Sequence, residues 1–428
     1  MISGWLASSV LVLSLAAFCG AYVHVSRHEG SYINILTPAL VVNVPAFYLF
    51  PFAYDKLFGI EASTFAYVYV YATLATESLV FAFFYTRPRV RPIRLPFAYG
   101  YNNFWPLSLV SLALAGLLFI PLMLEFHEYI FEPRRIYELT RTGFGGSFYL
   151  SSTAAYLAVT LALFSAQSRL KKLFVVLAAA LVLFLHGSKG QVLYLLLLVV
   201  LFEIYIQKRK VKIFPAVLAG LGMGAVLAGL FAATMVLGDP MESLETVSHY
   251  ADYTRNAMLV IDSDLPRQYG RLTWEGNVLA LVPRALMPDK PKNFGTFYLA
   301  EQFYQEWFDA DTGSPAFGVG VQYADFGFLA IIYLAFFAAF RGWLAHMFIR
   351  RLKVTRHPGD FLVVAFLADI PLFPIGTGWL LPETIVLAIV LRLVSCVGAG
   401  QVYRERIQPA RRLLTGSTMR PIDNTGSI

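Results

Sequence analysis

The apolar positions of this chain fall into runs, most of them long enough to cross a hydrocarbon layer of roughly 30 Å. About eleven such runs (roughly ten to twelve) stand near residues 2–23, 31–52, 62–86, 104–124, 148–166, 173–186, 191–206, 214–237, 326–349, 360–376 and 382–400. The pair at 173–186 and 191–206 is short and divided by His-Gly-Ser-Lys-Gly, which predicts two helices meeting in a tight hairpin. Two segments break the pattern, 125–147 and 238–325. Within the second, Leu244, Val247, Ala251, Met258 and Ile261 recur every three or four residues while Glu245, His249, Asp252 and Asn256 take the other face, which predicts a helix lying on the membrane interface. A further helix is predicted over "GTFYLAEQFYQEWFDA", where Phe297, Tyr304, Trp307 and Phe308 form an aromatic stripe suited to the membrane interface or to sugar stacking. Between them Pro283, Pro288 and Pro291 forbid continuous helix in "LVPRALMPDKPKNFG". Irregular backbone near a membrane is tolerated where it is buried in protein or lines a watery cavity, so this stretch is a candidate cavity wall.

Composition agrees with the runs. The chain is 57% hydrophobic and only 14% charged, too apolar for a water-facing domain, so the expected class is an all-α integral membrane protein, a single polytopic unit over residues 1–428. The first run lacks a basic leader and a cleavage site and reads as a retained span; Cys19 and Cys396 lie in apolar segments far apart and predict no disulfide framework.

Basic residues collect in alternating loops: Arg27; Arg87, Arg89, Arg91 and Arg94; Arg169, Lys171 and Lys172; Lys208 to Lys212; Arg350, Arg351, Lys353 and Arg356; and the tail 401–428. The positive-inside bias makes that side cytoplasmic, with the N-terminus outside and the C-terminus inside. The net charge of +7 then reflects topology and anionic lipid, with no role for nucleic acid. The loops 125–147 and 238–325 become the outer ones. The larger carries thirteen acidic residues and six basic ones, and basic residues kept on the disfavoured side call for a ligand or a partner. Within the runs stand Glu77, Arg341, Asp369 and Arg392; Arg341 is expected to snorkel, the others to pair across helices. The seven histidines read as scattered, no nucleotide-binding loop is present, and no metal or cofactor is expected.

The pattern "VPRALMPDKPKNFGTFY", followed by "GSPAFGVGVQYADFGFLAIIYLAFFAAFRG", resembles the bacterial Wzy-type O-antigen and oligosaccharide repeat-unit polymerases. The upstream "PRRIYELTRTGFGGSFYLSSTAAYL" looks like that family's other outer loop, and both loops share an arginine, ten residues, glycine spacing: Arg135 to Gly146 and Arg284 to Gly295. The resemblance implies a GT-C-like helical membrane fold in the bacterial inner membrane, acting on its periplasmic side with no cofactor. Its implied reaction joins two lipid-linked oligosaccharides: a sugar hydroxyl of one attacks the anomeric carbon of the other and expels polyprenyl diphosphate. Arg135 and Arg284 are the implied diphosphate ligands, because the guanidinium fork grips phosphate oxygens bidentately at any working pH. Arg134, Arg141, Lys189 and Lys290 would form an electropositive shell, and Tyr304 and Trp307 would meet sugar. Candidates for the base are His249, Glu275, Asp289, Glu301, Asp311 and Asp325, with Glu301 and Asp311 favoured because they flank the aromatic stripe. Gly146 and Gly295 are expected in tight turns. Implied partners are the lipid-linked substrates, membrane lipids and a chain-length regulator. Two departures stand out: Lys189 occupies the place of an arginine in a Gly-Ser-Arg-Gly element, and Val321 and Gln322 stand where a carboxylate is expected. An O-antigen ligase, or a flippase or transporter of the same lipid-linked sugars, remains the alternative.

Overall fold

The computed structural model describes residues 4–57, 59, 61–87, 104–130, 136, 145–187, 189–208, 251–279, 282, 287–309 and 315–369. The runs at 214–237 and 382–400, Arg392, the tail 401–428 and the stretch 244–250 lie outside them. Among the described residues the regular elements are all helical. They are α1 (Gly4–Glu29), α2 (Thr37–Val44), α3 (Phe50–Leu57), α4 (Thr64–Thr86) and α5 (Phe104–Glu125). Then come α6 (Gly145–Phe164), α7 (Arg169–Leu185), α8 (Lys189–Leu201), α9 (Asp252–Asp262) and α10 (Arg271–Val278). The last are α11 (Thr296–Phe303), α12 (Gln305–Asp309), α13 (Gly320–Phe326), α14 (Ala330–Thr355) and α15 (Pro358–Asp369). Among the described residues six stretches are long and apolar enough to cross a membrane: Ser8–Glu29, Thr37–Lys56, Thr64–Thr86, Phe104–Glu125, Gly146–Phe164 and Gly320–Thr355. Two shorter apolar helices, Gly190–Ile206 and Pro358–Ala368, accompany them, and the protein is an all-α integral membrane protein.

Local chemistry moves several boundaries. The run expected from residue 31 becomes helix only at Thr37, because Asn34 Oδ1 accepts from Leu36 N (2.9 Å) and Thr37 Oγ1 accepts from Asn34 N (2.8 Å), with Pro38 in the first turn. Pro45 has no N–H to give to that helix, and the chain slips into a π-turn over Pro45–Leu49, closed by Phe50 N donating to Pro45 O, before α3 resumes. The short pair forms the expected hairpin, α7 and α8.

Helix α4 is the centre of the body, packed along α1 on one flank and α14 on the other, while α5 packs on α6. At Gly342 a Cβ would stand 2.5 Å from the Phe81 carbonyl oxygen, so the missing side chain is what lets α14 close on α4. The outer flank of α5 turns Val110, Leu117 and Leu124 outward, all more than half exposed, as lipid-facing helices do. One apolar core runs through Phe18, Val25, Phe81, Val159, Leu198 and Phe361. A second joins the body to α9 and α13 through Tyr67, Tyr71, Met258, Ile261, Tyr323 and Leu334. A third, with Leu272, Leu299, Phe317 and Val321, belongs to the lobe made by α9 to α13.

Arg341 does not snorkel. It is 2% exposed and its Nη2 lies 3.9 Å from Oε1 of Glu77, itself 0% exposed, so the two charges of adjacent helices answer each other inside the body. Arg351 and Asp360 make a second pair, Nε standing 3.0 Å from both carboxylate oxygens. The C-terminal ends of α1, α4 and α14 converge: Lys353 reaches Glu29 at 3.2 Å and His346 Nδ1 donates to Tyr85 O at 2.7 Å. At the opposite end Ser63 N donates to Asp262 Oδ2 (2.6 Å), fastening the lobe to the start of α4.

Candidate functional site in the lobe

The lobe is assembled around close glycine contacts. Gly318 has φ +49 and a Cβ there would lie 2.3 Å from Tyr253 O; at Gly320 it would lie 2.8 Å from the Ala257 Cα. The Gly-Val-Gly of the "AFGVGVQYADFG" element is therefore what seats α13 on α9. Helix α13 is buried from Gly320 to Asp325.

Asp325 is removed from the candidate bases. Its carboxylate is 1% exposed and accepts from Leu272 N (3.0 Å) and Thr273 N (2.7 Å). Helix α10 starts after Gly270, which has no side chain to cap it, and Asp325 supplies the cap from a distance, a contact worth about 1 kcal/mol or more. Gln268 N and Tyr269 N donate to Ala324 O and Asp325 O, each at 3.0 Å, so the loop before α10 is clamped to the end of α13.

The stretch after the prolines is held by carboxylates on neighbouring helices. Glu275 Oε2 accepts from Gly295 N at 3.0 Å, while its Oε1 lies 3.6 Å from Arg271 Nε. Gly295 has φ +58, and a Cβ would be 2.9 Å from the Gly276 Cα, so the expected turn is present and α10 also presses on it. Its amide is already given to Glu275. Asn293 Nδ2 donates to Glu301 Oε2 at 2.9 Å, and Lys290 Nζ donates to Val282 O at 3.1 Å while standing 4.3 Å from the Phe294 ring centre.

The helix expected over 295–310 is two helices, because the backbone breaks at Tyr304 (φ −141, ψ 55). The break turns the Tyr304 hydroxyl onto Asn256 Oδ1 (2.6 Å), whose Nδ2 donates to Ala316 O (2.8 Å). Asn256, placed by periodicity on the polar face of an interfacial helix, is 0% exposed and ties α9 to both segments, so α9 is a packed helix. Burial holds the Tyr304 phenol above its ordinary range, which keeps it a hydrogen-bond donor.

Of the expected site residues, Glu301, Lys290, Tyr304 and Gly295 come together in this lobe, with Glu275, Asn293 and Arg271 beside them. Arg134, Arg135, Arg141, Arg284 and Asp311, and the side chains of Lys189 and Trp307, lie outside the described residues. Gly146 is not in a turn: it opens α6 with nothing within 4 Å of where a Cβ would be. The turn before Lys189 is fastened by His186, buried between the rings of Phe119 and Phe148 (4.8 and 4.6 Å), with Nε2 3.1 Å from Ser151 Oγ and Nδ1 3.2 Å from Gln191 Oε1.

Sequence reasoning passed over two arginines. Arg271 lies 4.7 Å over the Tyr298 ring, and Arg267 lies 4.4 Å over Tyr323 with Nη1 donating to Tyr323 O. The Arg271 to Glu275 spacing was the available signal for the first. The histidines are also less scattered than they read, His24 and His28 being one helical turn apart on α1. Among the described residues no group of three or more His, Cys, Asp or Glu side chains could hold a metal.

Fold and lobe define a polytopic helical membrane protein carrying, at one end, a packed lobe with stacked arginines and fixed carboxylates. The O-antigen polymerases of Salmonella typhimurium (strain LT2) and of Salmonella typhi are each 34% identical to this chain over 398 residues, covering 90% of it and 96% of the relative. The chain belongs to the O-antigen polymerase family. No family model matches it, and no solved structure does.

Proposed function

We propose that this protein polymerises lipid-linked oligosaccharide repeat units into O-antigen, with the lobe on the periplasmic side of the bacterial inner membrane. The observation that carries the reading is identity of 34% sustained over nine-tenths of the chain and nearly all of the relative, rather than a shared motif. The alternation of basic loops supports eleven spans with the N-terminus outside, and puts 125–147 and 238–325 on the outer face.

In this reading Arg135 and Arg284 hold the polyprenyl diphosphate of the donor as its charge grows, with Arg134, Arg141, Lys189 and Lys290 as the surrounding cations. Glu301 takes the proton of the attacking sugar hydroxyl: Asn293 occupies Oε2 and leaves Oε1 for it. The new bond forms from that oxygen to the anomeric carbon as the bond to diphosphate breaks. Asp311 stands as the second candidate for the base. Glu275 is a positioning residue, since it holds the Gly295 turn that follows Arg284. Tyr304 belongs to the scaffold through Asn256, leaving Trp307 as the sugar contact. A chain-length regulator is a further proposed partner.

The test is a reconstituted protein given polyprenyl-diphosphate-linked repeat units, with products resolved as a length ladder. Wild type makes a ladder; Arg284→Ala and Glu301→Gln abolish it, and Arg284→Lys restores little because a point charge lacks the fork. A wild-type protein that carries the labelled substrate across the bilayer and makes no ladder sinks the polymerase reading in favour of transport.

A further inference from the structure

A second site lies at the far end of the molecule from the lobe. A cavity of about 410 Å³ opens among the converging ends of α1, α4 and α14, with His28, Glu29, Thr86, His346, Arg350 and Lys353 in its lining. Three helix C-termini meet here, so the backbone contributes partial negative charge. Part of that charge is already answered. His346 Nδ1 donates to Tyr85 O, and Lys353 is engaged with Glu29. Two groups remain. Arg350 is exposed, with no carboxylate partner among the described residues. His346 is 8% exposed, and among the described residues its Nε2 has no hydrogen-bond partner.

The tautomer decides what that buried nitrogen wants. With its Nδ1 proton given to a carbonyl, neutral His346 presents a lone pair at Nε2, an acceptor. The lining thus offers a permanent cation and a buried acceptor together. A simple anion uses the first and leaves the second unmet; a phosphodiester bearing a hydroxyl uses both. Apolar side chains nearby point outward: Phe83 is 48% exposed, Phe84 44% and Val354 79%, a surface suited to lipid tails beside the cavity. His28, whose ring centre is 6.1 Å from that of His346, is exposed, and an exposed ring swings aside within nanoseconds.

We propose that this cavity binds the headgroup of an anionic phospholipid, its phosphodiester on Arg350 and its headgroup hydroxyl donating to His346 Nε2. The site does not depend on the polymerase reading; only the leaflet it samples depends on the orientation.

The experiment uses full-length protein in nanodiscs and measures retained lipid by native mass spectrometry. Phosphatidylglycerol is compared with phosphatidylmethanol, which has the same charge and no headgroup hydroxyl, and with phosphatidylcholine. Phosphatidylglycerol is expected to bind tightest. Arg350→Gln should weaken both anionic lipids by about tenfold, the worth of one charge-assisted contact. His346→Asn keeps a donor where Nδ1 stood and removes the Nε2 edge, so it should weaken phosphatidylglycerol alone and erase its advantage over phosphatidylmethanol. Equal retention of phosphatidylglycerol and phosphatidylcholine by wild type overturns the proposal. So does unchanged phosphatidylglycerol binding in both variants. Binding of soluble glycerol 3-phosphate in phosphatidylcholine discs, without preference for either anionic lipid, overturns the lipid assignment.

Discussion

The membrane body and the lobe hold most of their carboxylates by different means, although Asp252 of the lobe is paired with Arg255 at 2.9 Å. In the body, Glu77 meets Arg341 and Asp360 meets Arg351, charge against charge. In the lobe, Asp325 is held by two backbone amides, Glu275 by the amide of Gly295, Glu301 by Asn293, and Asp262 by the amide and hydroxyl of Ser63. The reason lies in the backbone. A membrane helix spends its N–H groups on its own carbonyls, so an intramembrane carboxylate finds only another side chain. The lobe has short helices and turns, whose starts leave N–H groups to be answered. The consequence falls on the arginines. The buried body arginines Arg341 and Arg351 are paired with carboxylates, whereas Arg267 and Arg271 lie over tyrosine rings, and Arg271 is about half exposed.

Breaking a body pair should cost most. Arg341→Leu leaves Glu77 buried without its partner and is expected to lower stability by about 3–5 kcal/mol, while Glu77→Leu with Arg341→Leu should recover most of the loss. Unfolding of the purified variants in detergent measures it, and an Arg341→Leu protein as stable as wild type removes the contrast at its root. A lobe carboxylate should cost less. Asp325→Ala leaves two amides of α10 unmet, an expected loss of about 2 kcal/mol, and Asp325→Asn, which keeps one acceptor oxygen, should recover roughly half. If Asp325→Ala cost more than Arg341→Leu, the lobe rather than the body would be the part that charge holds together.

The same contrast explains what could be read from the sequence. The apolar runs among the described residues survive as helices because a bilayer leaves the backbone few choices, and Met258 and Ile261 fall on a buried face as their period predicts. The non-helical stretch through Pro288 and Pro291 and the Gly295 turn were legible for the same local reason. Partnerships between distant residues were not. Nothing in the spacing of Glu77 and Arg341 tells that α4 and α14 lie side by side, so Arg341 read as a snorkeler. Asp325 looked like a free acid because the helix it caps starts more than fifty residues upstream of it in the chain. Asn256 looked solvent-facing because a polar side chain on a helix is ordinarily outside, and only the break at Tyr304 brings in its partner.

The smallest stability effect should come from Arg271, and there the comparison becomes a statement about function. Its side chain is 47% exposed and its pairing with Glu275 is loose at 3.6 Å, a kind of contact worth about 0–1 kcal/mol. Arg271→Ala should therefore unfold within about 1 kcal/mol of wild type. If the lobe satisfies Asp325, Glu275 and Glu301 through amide donors so that Arg271 stays available, the same change should lower polymerisation by roughly 10- to 100-fold, the worth of one charge-assisted hydrogen bond to phosphate. Arg271→Lys separates the two ways this could happen. Lysine keeps the charge over Tyr298 and loses the planar fork, so activity that stays low with lysine points to bidentate contact with the diphosphate. Activity restored by lysine points to a general electropositive field, and activity unchanged in Arg271→Ala leaves the stacked arginine as packing on Tyr298 and nothing more.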